Sequence, residues 1–326
     1  MSGLKTRILG AVEADLRAIE EALVANLTPH LDLVREVAGH ILFNGGKRMR
    51  PLLLVLGARL CGYRGSYDTA FSTALEYLHA ATLLHDDLVD GAETRRGKPA
   101  AHRLWGNAIA VLVGDFLLAR ALSLTAATGN PRIVAVLARL TEEMSQGEVH
   151  QLQRKGDPGL SEEEYGEVIR RKTAVLFETA CRVSALLAEA PASSEEALAA
   201  YGLALGHAFQ IADDLLDYTA QAERIGKDVG SDLREGKMTL PLIRGLALAG
   251  AAERRRILAL IGNPDVPAED FAWLRGFLAQ SGAIAYARRA AETWIAAAKG
   301  HLRRFPDSPT RRTLMDLADY CLERNL

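Results

Sequence analysis

Three aspartates, Asp86, Asp87 and Asp90, lie in an apolar run, and Arg95 and Arg96 follow within the length of one loop. Residues four apart share a face of a helix, so Asp86 and Asp90 should point the same way. Two like charges at this spacing destabilise a helix unless a cation lies between them. Mg²⁺ is the simplest candidate, because it takes one or two carboxylates and leaves its other positions for phosphate oxygens. A solvated acidic face is the alternative that these residues alone leave open.

The Asp-Asp-x-x-Asp spacing recurs at Asp213, Asp214 and Asp217, again in an apolar helical stretch and again before a cationic loop. Carboxylates gathered around one cavity at roughly 4 Å repel one another, so such a site requires cations. Diphosphate is the natural ligand to bridge Mg²⁺ and basic side chains. Once it is stabilised as a leaving group, a C–O bond can ionise without a nucleophilic side chain, and apolar walls would exclude water. The repeated motif therefore predicts ionisation of a diphosphate ester.

A turn at Asn44–Gly46 is followed by the cations Lys47, Arg48 and Arg50 at a helix entrance. Backbone N–H groups and cationic side chains would converge there, which suits an anion. An ordinary solvated helix start is the competing interpretation. His79, two turns before the first aspartate, is placed either to contact a bound anion or to pack within the protein.

Apolar residues recur at three- and four-residue spacing along most of the chain, which predicts amphipathic helices. No period-two alternation predicts a strand of any length. We therefore expect an all-α fold in which residues 1–326 form one domain, a large helical bundle around a central apolar cavity. The main predicted helices cover residues 4–26, 71–90, 102–127, 133–155, 198–218, 283–302 and 310–324.

Two further helix starts have the spacing of a capping box, Ser161 with Glu164 and Ser193 with Glu196. The first of these helices is expected to continue through the basic run Arg170–Thr173.

Composition excludes several classes of protein. The 326 residues are 49% hydrophobic and carry a net charge of −2, so no basic field indicates nucleic acid binding. Three single cysteines, Cys61, Cys181 and Cys321, are typical of a reducing compartment. The N-terminus lacks the apolar core of a signal peptide, and no eighteen residues are uninterruptedly apolar. We expect a soluble cytoplasmic protein with no transmembrane segment.

Seven elements, in this order along residues 44–241, give the chain a clear resemblance to the trans-isoprenyl diphosphate synthases of the polyprenyl synthetase family, most closely to medium- and long-chain octaprenyl and polyprenyl synthases. The resemblance implies the isoprenoid synthase fold, a Mg²⁺-dependent prenyltransferase and a homodimer. The elements are Gly45–Pro51, Leu84–Asp90, Arg95–Gly97, Gly114–Phe116, Lys172–Thr173, Phe209–Asp217 and Gly236–Lys237.

The resemblance also implies roles for individual residues. Mg²⁺ would be held by Asp86, Asp90, Asp213 and Asp217, with Asp87, Asp214, Lys172 and Lys227 completing the catalytic set. The allylic diphosphate would contact Arg95, Lys172, Thr173, Gln210, Lys227 and Lys237, and isopentenyl diphosphate would contact Lys47, Arg50, His79 and Arg96. The allylic substrate would ionise, the isopentenyl double bond would attack it, and the departing diphosphate would take the proton.

Product length is expected to depend on residues about one turn before the first aspartate motif. In this family, bulky aromatic residues there close the cavity for short products. Here the positions are Ala81 and Thr82, both small, and Leu78 is the next apolar residue. This predicts a medium- or long-chain polyprenyl product, with a short-chain geranylgeranyl or farnesyl diphosphate synthase as the alternative. Ala81 could instead merely pack against a neighbouring helix.

Three rival functions fit the sequence less well. A terpene cyclase shares an Asp-rich helix but does not account for the second Asp-Asp-x-x-Asp motif and the basic elements. A metallophosphohydrolase, suggested by His85 beside Asp86 with His79 and His102 nearby, leaves the Asp213 cluster unexplained. A non-catalytic subunit of a heteromeric synthase would be expected to lack motif residues that this chain retains. The sequence therefore favours an enzyme.

Overall fold

The computed structural model describes residues 3–46, 48–219 and 230–323, which are almost entirely helical. Lys47 and Lys227, both predicted site residues, lie outside the described residues. The chain forms two compact units: residues 1–140, 176–202 and 302–316 belong to the first, and residues 141–175, 203–301 and 317–326 to the second. The all-α prediction is confirmed, whereas the single domain and its central cavity stay predictions.

The first unit contains six helices that lie wholly within it and one short hairpin. They are α1 (Gly3–Asn26), α2 (Asp32–Leu42), α3 (Met49–Leu60), α4 (Tyr67–Val89), β1 (Thr94–Arg95), β2 (Lys98–Pro99), α5 (Ala101–Trp105) and α6 (Asn107–Ala126). A 3₁₀ turn at Leu302–Arg304 also belongs to it.

The second unit contains α8 (Glu162–Ile169), a π-helical segment (Arg170–Ala174), α11 (Ser231–Arg234), α12 (Leu240–Leu248), α13 (Ala251–Leu260), α14 (Ala268–Gln280) and α15 (Ala283–His301). Four helices have residues in both units: α7 (Pro131–Gln153), α9 (Val175–Leu187), α10 (Ala192–Thr219) and α16 (Pro309–Glu323).

Helix α4 carries the first aspartate motif and is the central helix of the first unit. It packs against α6 over most of its length and also against α3 and α1. Phe71, Leu75 and Leu78 are fully buried, as their three- and four-residue spacing predicts. The helix begins at Tyr67, four residues before the predicted start. Its first turn buries no side chain, so the apolar pattern does not reveal it.

The loop after α4 contains a two-residue antiparallel hairpin, in which Thr94 pairs with Pro99 and Arg95 with Lys98. Arg96 and Gly97 occupy the turn with φ of 52° and 76°. Two successive residues of positive φ form a type I′ turn, whose twist matches that of the flanking strands. The hairpin thereby sets the positions of the two arginines that follow the aspartate motif.

A π-helical segment interrupts the helix that was expected to run through residues 170–174. Segments of this kind are rare and are frequent at functional sites. Two glycines allow close packing around it: a Cβ at Gly147 would lie 2.7 Å from the Arg171 Cβ, and one at Gly206 would lie 2.5 Å from the Ala174 Cα. Both positions therefore require glycine, and the π-helical segment that carries Lys172 and Thr173 is closely packed.

Two other predicted helix boundaries are wrong. The stretch 102–127 is two helices, because Gly106, with φ of 82°, separates α5 from α6. Ser193 lies inside α10, which already begins at Ala192, so Ser193 is not its cap. The capping box of Ser161 and Glu164 is confirmed by hydrogen bonds in both directions.

Within residues 3–46, 48–219 and 230–323, α6 alone is long and apolar enough to cross a membrane, judged by length and composition. About a third of it (33%) is buried within the chain. Core helices of soluble proteins share these properties, so they do not establish a membrane span.

Candidate active site

The first aspartate motif lies at the C-terminal end of α4. Asp86 and Asp90 are partly exposed, whereas Asp87 is only 2% exposed. Asp90 ends the helix, and its N–H donates to the Asp86 carbonyl. Asp86 and Asp90 are one turn apart, whereas Asp87 lies roughly 100° around the axis and turns inward. The first and third aspartates are thus the two that share a partly exposed face.

Asp87 is paired with Arg95 of the hairpin. The Arg95 Nε lies 2.7 Å from both carboxylate oxygens, and an Nη atom lies 2.5 Å from one of them. This contact holds a guanidinium beside the end of α4, with 27% of the arginine side chain exposed. Asp87 therefore anchors a cation at the end of α4 that also carries Asp86 and Asp90.

The start of α3 contributes the second cationic group of this unit. The guanidinium carbon of Arg50 lies 5.1 Å from the centroid of the Phe177 ring, a cation–π contact. Arg96 donates from its guanidinium to the carbonyl oxygen of Gly45. Lys98 donates to the side-chain oxygen of Asn44. The hairpin and the turn are therefore joined by two basic side chains.

His79 lies on α4 and is surrounded by positive charge. Burial lowers the pKa of His79 well below its usual value, and the nearby charges of Arg50, Arg95 and Arg96 lower it further. The imidazole is consequently neutral at physiological pH and offers a hydrogen bond rather than a charge. The predicted isopentenyl diphosphate residues Arg50, His79 and Arg96 are thus brought together.

The three predicted chain-length residues differ in exposure. Ala81 and Leu78 are buried at 3% and 1%, whereas Thr82 is partly exposed. The Thr82 hydroxyl donates to the His79 carbonyl at 2.8 Å. Thr82 is therefore the member of the trio with accessible surface.

In the second unit, one chain of hydrogen bonds joins the π-helical segment to the second aspartate motif. The Thr173 hydroxyl donates to the Gln210 side-chain oxygen at 2.7 Å, and the Gln210 amide donates to Asp214 at 2.8 Å. The Tyr165 hydroxyl donates to the other Asp214 oxygen at 2.6 Å. Burial raises the pKa of Asp214 to about 6, with the charges of Asp213 and Asp217 adding to the effect and the two hydrogen bonds opposing it. Asp214 thus positions Gln210. It is only 4% exposed, which is less than a metal-binding carboxylate requires.

Lys172 has partners that the sequence did not reveal. Its ammonium group lies 2.7 Å from the Glu148 carboxylate and 2.6 Å from the side-chain oxygen of Gln151. Glu148 and Gln151 are three residues apart on α7 and so share a face. That spacing was the only signal for them, and nothing in the sequence pointed to Tyr165.

Two other predicted site residues of this unit, Asp217 and Lys237, are also engaged. The Asp217 carboxylate accepts hydrogen bonds from the backbone N–H groups of Gly230, Ser231 and Asp232 at 2.9–3.1 Å. It thereby fixes the start of α11, where the described residues resume after the motif. Lys237 forms an ion pair with Glu235.

The donor set of α4 fits Mg²⁺. Among the described residues, no three His, Cys, Asp or Glu side chains come together as a metal cluster. Mg²⁺ is commonly held by one or two carboxylates together with substrate phosphate oxygens, so a pair of carboxylates is enough. Asp86 and Asp90 supply such a pair, with Arg95 beside it for the phosphate.

The histidines do not form the site of a metallophosphohydrolase. His85 Nε2 lies 3.2 Å from the Val111 carbonyl and 3.5 Å from the Asp115 carboxylate, so it contacts α6. The contacts of His85 therefore do not support this rival.

Comparisons with known proteins agree along nearly the whole chain. The model of the polyprenyl synthetase family matches residues 31–274. Octaprenyl diphosphate synthase of Escherichia coli (strain K12) is 38% identical, and the match covers 95% of this chain and 96% of that protein.

Two solved structures are similar in sequence and fold. A polyprenyl synthase of Caulobacter crescentus CB15, complexed with calcium and isoprenyl diphosphate, is 40% identical with a TM-score of 0.93. A decaprenyl diphosphate synthase of Rhodobacter capsulatus is 41% identical with a TM-score of 0.91. Each match covers 98% of both chains, so the predicted isoprenoid synthase fold is confirmed.

Proposed function

Because this chain belongs to the polyprenyl synthetase family and is a prenyltransferase, we propose that it condenses an allylic diphosphate with successive isopentenyl diphosphates to an all-trans medium- or long-chain polyprenyl diphosphate. The observation that carries the proposal is the pair Asp86 and Asp90 beside an arginine that Asp87 holds in place. A carboxylate pair next to a fixed guanidinium is suited to a diphosphate bound with a divalent cation.

Asp86 and Asp90 hold Mg²⁺ in this proposal, and the family resemblance assigns the same role to Asp213 and Asp217. Bound Mg²⁺ would neutralise charge that develops on the leaving diphosphate. The Caulobacter relative, which binds calcium and isoprenyl diphosphate together, supports a divalent ion. Arg95 and Lys172 bind the allylic diphosphate and offset its charge, as Lys227 and Lys237 are expected to do. Thr173 and Gln210, which are joined by a hydrogen bond, add polar contacts to it.

Arg50, His79, Arg96 and Lys47 bind isopentenyl diphosphate and orient its double bond. The allylic C–O bond breaks, and its electron pair leaves with the diphosphate. The isopentenyl double bond then attacks the allylic carbon, and the proton lost from the new chain passes to the departed diphosphate. The protein contributes binding, orientation and exclusion of water, so the reaction requires no nucleophilic side chain.

A product longer than geranylgeranyl diphosphate is supported by the small residues Ala81 and Thr82 and by the named products of the octaprenyl and decaprenyl relatives.

We also propose a homodimer, supported by an exposed apolar row on α6 in which Leu112 is 62% and Leu122 41% exposed. A cytoplasmic location is supported by the three cysteines, which are all free thiols.

The proposal is tested by incubating the purified protein with farnesyl or geranylgeranyl diphosphate, isopentenyl diphosphate and Mg²⁺, and measuring product masses. We expect chains longer than geranylgeranyl diphosphate. Growth that stops at that length would instead establish the short-chain alternative. Asp86→Ala should abolish turnover, whereas Asp68→Ala, which removes a carboxylate from the other end of α4, should not. Retained activity in Asp86→Ala would refute the metal assignment.

A further inference from the structure

Arg48 has a buried guanidinium that three parts of the first unit hold in place. Its Nε donates to Glu20 of α1 at 2.6 Å, one Nη donates to Glu76 of α4 at 2.8 Å, and the other donates to the Leu42 carbonyl at 2.6 Å. The side chain is 7% exposed, and that of Glu76 is 8% exposed. Arg48 therefore links α1, the end of α2 and α4 at a single point.

The backbone of Arg48 is also unusual. It lies immediately before α3 with φ of 47°, in the left-handed region that residues other than glycine rarely adopt. Such a conformation persists only where the surrounding structure enforces it, and it is concentrated at functional sites. The four side-chain hydrogen bonds of Arg48 supply that enforcement.

The position of this link indicates what it serves. In sequence, Arg48 is the residue between Lys47 and Met49, and Arg50 follows in the first turn of α3. Glu76 lies three residues before His79 on α4 and so shares its face. The Arg48–Glu76 ion pair therefore fastens the start of α3, which carries Arg50, to α4, which carries His79, and so joins two proposed ligands of isopentenyl diphosphate.

We propose that Arg48 is a positioning residue for isopentenyl diphosphate, acting through its ion pairs with Glu76 and Glu20 rather than by touching the substrate; this inference rests on the proposed function. Each of its three guanidinium nitrogens donates to a protein acceptor, and burial keeps it away from ligands. Arginine is suited to the role because its planar fork reaches three acceptors at once, which the single ammonium of lysine does not reproduce.

The test compares Arg48→Gln and Arg48→Lys with a matched control, Arg59→Gln. Arg59 also joins α3 to α1, through Asp15 at 3.1 Å, but at the far end of α3. Steady-state kinetics should vary isopentenyl diphosphate and the allylic diphosphate separately. We expect Arg48→Gln to raise the KM for isopentenyl diphosphate at least about tenfold, since small misplacements of binding groups cost rates and affinities of this order. The KM for the allylic substrate should change less than about twofold in every variant.

Calorimetric titration with each substrate gives a second readout that does not depend on turnover. Arg48→Gln should weaken the binding of isopentenyl diphosphate and leave the binding of the allylic diphosphate unchanged. Arg48→Lys should have an affinity for isopentenyl diphosphate between those of Arg48→Gln and the unmodified protein. Glu20→Gln, which alters a half-exposed partner, keeps the test informative if Arg48→Gln does not fold, and a smaller change in the same direction is expected.

Three outcomes are separable. If Arg48→Gln and Arg59→Gln lose stability alike and neither changes the KM for isopentenyl diphosphate, the link is only structural and the inference is overturned. A parallel rise in the KM of both substrates would overturn it as well. If the unmodified protein does not condense the two substrates, the proposed function itself fails, whatever the variants show.

Discussion

Thr82→Phe is the sharpest test of what limits product length. Thr82 lies four residues before Asp86, so it is about 40° from that aspartate around the helix axis, whereas Ala81 is about 140° away. Thr82 is partly exposed and Ala81 is 3% exposed. A phenyl ring at position 82 would therefore extend along the aspartate face, whereas one at position 81 would enter packed core. We expect Thr82→Phe to shorten the product chain.

The size of the effect follows from the rise of the helix. Leu78 lies four residues below Thr82, which is about 6 Å along the axis at 1.5 Å per residue and comparable with the length of one isoprene unit. If the growing chain is stopped at position 82 rather than at Leu78, the main product should be shorter by at least one isoprene unit. Ala81→Phe should instead cost about 1–3 kcal/mol of stability, because the added ring overpacks a buried site.

Reversed-phase separation of the dephosphorylated products measures the chain length directly. Thr82→Val is the matched control, because it removes the hydroxyl with little change in volume, and it should leave the distribution unaltered. A Thr82→Phe enzyme that condenses at a normal rate and gives the original distribution would refute the reasoning. Leu78 and Thr82 would then not line the path of the growing chain.

Two further predictions concern acid stability and assembly. Because burial and the neighbouring arginines lower the pKa of His79 well below 6.5, the unfolded chain binds a proton that the folded chain does not, and stability is lost as the pH falls below 6.5. Between pH 7 and 5.5 the protein should lose about 1.3 kcal/mol more unfolding free energy than His79→Gln in urea titrations, and equal losses would contradict this. Leu112→Glu should convert the proposed dimer into a monomer in light scattering, whereas Val24→Glu, an equally exposed residue of α1, should not; a monomeric parent protein would contradict the dimer.

Apolar periodicity was sufficient to predict the fold class, because amphipathic helices such as α1 bury one stripe of regularly spaced residues. It failed where no side chain is buried, as at the first turn of α4, and where one residue changes the backbone, as at Gly106. The π-helical segment was also missed. It depends on the close approach that Gly147 and Gly206 allow, and contacts distant in sequence leave no local pattern.

The sequence predicted the charged residues of the candidate site, but it did not predict the residues that pair with them. The family resemblance predicted Arg95 and Lys172 as site residues, but it did not indicate that Asp87 holds the first and Glu148 the second. A carboxylate that pairs with a cation and one that binds metal are identical in sequence. Only burial and distance distinguish them, and both are properties of the fold.

The two aspartate motifs show how far a shared spacing determines a shared role. In each, the second aspartate lies about 100° from the first around the helix, so Asp87 and Asp214 both turn into the protein and are 2% and 4% exposed. The helical period buries the second aspartate in both motifs, but the side chains that contact it differ. Asp87 contacts the guanidinium of Arg95, whereas Asp214 contacts the phenol of Tyr165 and the amide of Gln210. Burial raises the pKa of Asp214, whose two side-chain hydrogen bonds come from neutral groups, whereas Asp87 is paired with the guanidinium of Arg95. In the proposed function, the first and third aspartates of each motif bind the metal. The helical period turns the second aspartate away from them, where it holds a group that the proposal assigns to diphosphate binding, Arg95 or Gln210.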